Sequence, residues 1–360
     1  MDKARGERAA TLALLLAMSL PAAATEVAQE PLRAAEPARL AARGLLIAIA
    51  PAGQRLVAVG DRGIIVLSDD RGASWRQAEY VPTQALLTGV CFIDAQHGVA
   101  VGHDEVILTT ADAGRHWQRT HYAPEAQRPL LDVWCGTGGQ AIAVGAYSAY
   151  FTSADGGASW QEVKFTPAAP AARRRGRAPG PAPPAPAGAP DEQGAGGGYH
   201  LNRIVAGGTG RLYIAAEAGH LYASDDAGAS WRTLSSPYEG SFFGVLPLSG
   251  EALLAFGLRG HLYRSADAGA SWQAIDTGTV AMLTGAAPVG PDAIAVVGLS
   301  GVVLVSRDGG RSFALQQQAD RSGLSGLSPA GEARLAVVGE RGARLIALAE
   351  PGGVAGDTTP

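Results

Sequence analysis

Ser68-Asp69-Asp70-Arg71-Gly72-Ala73-Ser74-Trp75 reads as Ser/Thr-x-Asp-x-Gly-x-x-Trp, and the phrase returns at 110–117, 153–160, 224–231, 265–272 and 306–313. Successive copies start 42, 43, 71, 41 and 41 residues apart. A period of this size outranks any domain count taken from length. On length alone, 360 residues suggest two or more ordinary domains.

The motif has a mechanical reading. Asp70, Asp112, Asp155, Asp226, Asp267 and Asp308 can accept backbone N–H groups across a tight turn, with the preceding Ser or Thr helping. The glycine two positions on permits positive φ. Trp75, Trp117, Trp160, Trp231, Trp272 and Phe313 then offer a large apolar face to the adjacent unit. A single carboxylate per turn is a thin oxygen set for calcium, so no metal is expected there.

Working outward, each motif follows two strand signals. The first runs over 55–60, 98–102, 141–145, 211–216, 252–257, 293–298 and 334–339, and six of these seven end in glycine. A further apolar strand precedes each, from 45–49 to 324–327. The unit is four short strands, A to D, with the aspartate motif at the C–D turn. Repeated radially, it predicts an all-β chain folded as a seven-bladed β-propeller over 43–349. There are seven A–B–C sets but six motif-led D strands. Residues 25–42 are therefore expected to supply a closing strand to the last blade, because closure removes the unpaired edge; a three-stranded blade is the alternative.

The 71-residue interval holds an insertion at 166–198, rich in Pro, Gly and Ala and carrying Arg173-Arg174-Arg175. It has no strand periodicity and reads as a disordered expansion of the D–A connection. Residues 350–360 read as a tail. At the start, Lys3, Arg5 and Arg8 precede an apolar run over 9–20, too short to span a bilayer, and Ala22-Ala23-Ala24 offers a cleavage site. Residues 1–24 thus have the form of a secretory signal peptide. The mature chain is expected to be soluble in the periplasm or extracytoplasmic space, and monomeric.

The phrases VGDRGIIVLSDDRGASW, FGLRGHLYRSADAGASW and VGLSGVVLVSRDGGRSF resemble the photosystem II stability/assembly factor family, and the motif itself resembles the Asp-box (BNR) repeat of sialidases. The resemblance covers about 43–349. It implies an exported, non-catalytic propeller that helps assemble a membrane or envelope protein complex. The insertion, the short last blade and the low aromatic content depart from the family's pattern. The resemblance also implies a basic surface that engages the partner. Here Arg62, Arg259 and Arg341, each followed by glycine at a B–C turn, are the candidates for gripping a carboxylate or acidic tail. They belong to blades one, five and seven, which as a set are not all contiguous in the chain.

A sialidase-like glycoside hydrolase or carbohydrate-binding protein is the alternative. Its chemistry needs an arginine cluster, a tyrosine with a carboxylate neighbour, and an acid. No Phe/Tyr-Arg-Ile-Pro motif is present, and Tyr147, Tyr150, Tyr213, Tyr222 and Tyr263 have no evident base beside them. The seven histidines form no H-E-x-x-H pair, and there is neither a Gly-x-Ser-x-Gly elbow nor a phosphate loop, so no cofactor is expected. A net charge of -4 argues against nucleic acid. Two cysteines exclude a disulfide-dense scaffold. Cys91 and Cys135 occupy equivalent places in neighbouring A strands, which leaves both a disulfide and two buried thiols open.

Overall fold

The computed structural model describes residues 33–169, 198–331 and 333–348. Residues 1–24, most of the insertion and the tail 350–360 lie outside these. Among the described residues no helix is long and apolar enough to cross a membrane.

The strands form seven antiparallel sheets, six of four strands and one of three, arranged as a seven-bladed propeller. Blade one is Leu46–Ala52, Arg55–Gly60, Ile65–Ser68 and Arg76–Gln77, from the axis outward. The inner strands of the others are Leu87–Phe92, Leu130–Cys135, Leu201–Ala206, Phe242–Pro247, Leu283–Pro288 and Leu324–Pro329. Second strands such as Leu212–Ala216 and Ile294–Gly298 are buried at every position, which is why their sequences are nearly continuous apolar runs. The core is distributed between blades: Trp117 of blade two packs on Val57 and Leu67 of blade one.

The glycine that ends a second strand has a steric cause. A Cβ on Gly60, Gly102, Gly257 or Gly339 would meet the carbonyl oxygen preceding the inner strand at 2.1 or 2.2 Å. Blade four carries Ala216 there instead.

The aspartate turns share one hydrogen-bond scheme. In blade one, Asp70 Oδ1 accepts from Ser68 Oγ and Ser74 N, both at 2.8 Å, and Gly72 N donates to Ser68 Oγ at 2.7 Å. Trp75 Nε1 closes back on Gly72 O at 3.1 Å. Gly72, Gly114, Gly157, Gly228, Gly269 and Gly310 all have φ between 80° and 91°.

Ring closure differs from the expectation. The seventh sheet ends at Arg344–Ala347, and no described residue adds a fourth strand to it. Residues 33–40 run along blade one instead: Ala35 N donates to Val81 O, and Ala38 N to Gln77 Oε1. The chain then reaches blade seven, where Ala343 N donates to Ala42 O at 2.9 Å. That carbonyl lies over Gly342 as Thr83 O, Tyr238 O and Thr279 O lie over Gly63, Gly219 and Gly260. The described part of the N-terminal segment, from residue 33, therefore takes the place of the D–A connection of blade seven and adds no D strand; residues 25–32 of the expected closing segment lie outside the described residues. A connection needs no β propensity, which suits the Ala- and Pro-rich composition.

Candidate functional site

Two faces follow from the strand order. The A–B turns and aspartate turns share one, as in the bond from Ala113 N to Gln96 O. The B–C turns and D–A connections share the other, as in Gly63 N to Ala85 O.

On the aspartate-turn face, a cavity of about 600 Å3 opens between blades two and three. His97 Nδ1 lies 2.9 Å from Asp94 Oδ2 and His116 Nδ1 2.7 Å from Asp112 Oδ2. The backbone N–H of His97, then that of Gln96 and the His97 ring, hold the Asp94 carboxyl down at about 2. Burial raises Asp112, but the backbone and ring nitrogens of His116 outweigh it and its carboxyl is lowered. Among the described residues no three His, Cys, Asp or Glu converge as metal ligands. The tyrosines named as candidates disperse too. Tyr150, Tyr213, Tyr222 and Tyr263 are buried in the blades, and Tyr150 Oη donates to Gly228 O at 2.8 Å. Burial pushes the Tyr150 hydroxyl up to about 12, so it is a poor nucleophile. Tyr147 alone of the five is exposed.

Cys91 and Cys135 are joined as a disulfide, with Cα atoms 5.7 Å apart, tying the inner strands of blades two and three. Inside the channel, Asp132 of blade three faces Arg203 of blade four at 3.7 Å and accepts from Ile204 N at 2.9 Å. Burial raises the Asp132 carboxyl, while Arg203 and that N–H oppose the rise.

The B–C/D–A face holds most of the exposed large hydrophobic residues among those described. Of the ten exposed large hydrophobics among the described residues, seven sit there: Leu40, Leu45, Tyr122, Tyr147, Tyr199, Val280 and Leu299. Arg62, Arg259 and Arg341 are exposed on the same face. The Arg62 side chain is 84% exposed, with Asp61 at 3.7 Å; Arg341 has Asp320 at 4.0 Å. Their separation along the chain is undone by the ring, because the inner strands of blades seven and one are packed together. Blade six carries Ser300 at the turn but contributes exposed Arg321 from its D–A connection, and exposed Arg43 sits at the closure. Blades five, six, seven and one, consecutive around the ring, thus each carry an exposed arginine on this face, an arginine arc. The sequence reading missed Arg321 and Arg43 because it compared B–C turns alone.

That face has a second sector. The central B–C residues read Arg62-Gly63, Asp104-Glu105, Tyr147-Ser148, Ala218-Gly219, Arg259-Gly260, Ser300-Gly301 and Arg341-Gly342. Glu105 (φ 50°) and Ser148 (φ 59°) hold the left-handed conformation that glycine holds elsewhere, at roughly 1–2 kcal/mol each. Glu105 is buried and receives Arg128 Nε at 2.5 Å and faces His121 Nε2 at 3.3 Å. Ser148 is accommodated because Gly198 lies where any Cβ would strike its Oγ. Replacement of the turn glycine in two adjacent blades was a signal already present in the sequence.

Residues 67–182 match the model of the family described as photosynthesis system II assembly factor YCF48. No curated protein matches the chain in sequence. Among solved structures, the propeller is similar to "YCF48 bound to D1 peptide" (TM-score 0.63, 16% identity, covering 89% of this chain and 98% of that one). It is also similar to YCF48 from Cyanidioschyzon merolae (0.61, 14% identity, 85% and 96%) and to the WD40 propeller domain of Doa1 (0.60, 10% identity, 87% and 95%).

Proposed function

We propose that this propeller, similar in its repeats and fold to the photosystem II assembly factors, is a non-catalytic exported protein that binds and helps assemble a membrane or envelope protein. The arginine arc carries the reading. Arg62, Arg259, Arg321 and Arg341 project from one face of a rigid ring, among exposed Leu40, Leu45, Val280 and Leu299. Guanidinium groups beside exposed apolar side chains suit an extended acidic segment, whose carboxylates take paired N–H donors while its apolar residues bury against the rim. A propeller similar to this one has been solved with a peptide bound, which accords with peptide recognition. The leader at 1–24 would place the mature ring outside the cytoplasm.

The test is affinity capture from solubilised membranes with the mature protein, wild type against the Arg62→Glu, Arg259→Glu, Arg341→Glu variant. A membrane protein enriched by wild type and lost on charge reversal is the expected result. Equal capture by both, or no enrichment by either, rejects the arc as the binding site.

A further inference from the structure

The sector of the B–C/D–A face on blades two to four has the opposite chemistry from the arc. Tyr199 is 40% exposed and stacks on His220 with ring centroids 4.0 Å apart. Tyr147 is 50% exposed and stands edge-on to His200 at 5.0 Å. His200 is held in turn, since its backbone N donates to Glu217 Oε2 at 3.0 Å. Both tyrosines are thus held by neighbouring rings while remaining substantially exposed.

The charge around them is acidic. Glu125 and Glu239 are exposed, and Asp104 and Glu217 are half-buried at their turns. Arg128 in this sector is already engaged: it bonds Glu105 and Glu162, which leaves it little to offer these carboxylates. Arg119 lies over the Tyr122 ring at 4.3 Å, so a guanidinium on tyrosine is a contact this surface already makes. Glu105 and Ser148, left-handed where the other five blades have glycine, fall in blades two and three of this sector. Strain kept where glycine would relieve it is a mark of a working surface.

We propose that this sector is a second docking surface, and that its occupant is an extended cationic segment of a partner protein. Arginine or lysine side chains lie on the Tyr147 and Tyr199 rings, and the carboxylates of Asp104 and Glu125 complete the contact. This docking does not depend on the arc.

The test is fluorescence anisotropy on the mature chain with two labelled Gly/Ser-spaced peptides, one arginine-rich and one glutamate-rich, at low salt. Wild type should bind the arginine-rich probe, and Tyr147→Ala with Tyr199→Ala should weaken it by roughly tenfold or more. Glu125→Lys should weaken it too, and Tyr147→Phe, which keeps the ring, should retain it. The Arg62, Arg259, Arg341 charge-reversal variant should bind this probe unchanged while losing the glutamate-rich one, so failure of the arc and failure of this sector are distinguishable. Absence of arginine-rich binding, or binding unaffected by loss of both tyrosines in a folded protein, overturns the proposal.

Discussion

Arg203 reaches from the fourth blade to Asp132 in the third, Nε to Oδ2 at 3.7 Å, and its Nη2 also donates to Thr284 O in the sixth at 3.2 Å. One side chain thereby braces three blades across the channel.

Removing Arg203 should cost more than removing the charge it faces. Arg203→Met leaves a buried carboxylate without its cation and should destabilise by about 2–4 kcal/mol at pH 7, below the range for a fully buried pair because Arg203 is partly exposed. Asp132→Asn keeps an acceptor for Ile204 N and removes the charge, so it should be nearly neutral. Burial raises the Asp132 carboxyl, and it rises further without Arg203. The cost of Arg203→Met is therefore largest above that raised value and shrinks as acid protonates Asp132. Urea midpoints at pH 7 and pH 5 check this.

The aspartate turns predict acid behaviour of the other sign. Hydrogen bonds from Ser159 Oγ, Ser159 N and Ser153 Oγ lower Asp155 from 3.8 to about 2. A depressed carboxyl contributes stability above its unfolded value and loses it as pH falls through the folded one. Asp155→Asn should lie below wild type by a constant amount above about pH 4, and the gap should close by about pH 2. Denaturant titrations across that range measure it.

The Cys91–Cys135 bridge spans a sequence separation of 44. Replacing both cysteines with alanine should reduce stability by about 2–4 kcal/mol. Thiol titration of wild type in denaturant without reductant should find no free thiol; two would refute the bridge.

Turn substitutions should split by blade. Gly342→Ala places a Cβ 1.9 Å from Ala42 O at φ 74° and should destabilise by about 2 kcal/mol or more. Ser148→Gly relieves a left-handed serine and should stabilise by up to about 1 kcal/mol, less the loss of its 3.2 Å bond to Tyr199 O. Thermal unfolding of both variants gives the signs.

Much of this architecture is written locally. The Ser68-to-Trp75 turn bonds within itself, so six copies announce six turns. Ala143 and Val297 lie in uninterrupted apolar runs because both sides of a second strand are covered. What escaped was whatever depends on the ring being closed. Arg341 and Arg62 are distant in the chain but stand on blades that pack side by side. Asp132 and Arg203 sit on opposite sides of the insertion and form one brace. Ala42 belongs to the stretch expected to supply a closing strand, yet its carbonyl caps the turn at Gly342 and Ala343, a contact made only across the closed ring. Glu105 and Ser148 were visible as departures from glycine, but their left-handed backbone gained meaning only once every turn lay on one face.

The contact between Ala42 and Ala343 is where the two ends of the propeller meet, and the arc of arginines straddles it. Blades one and seven are held together by packing and hydrogen bonds and not by consecutive residues of the chain. A ligand seated across blades seven and one would act as a clasp on this seam. Occupancy and resistance to unfolding would then rise together, by RT ln(1 + [L]/Kd).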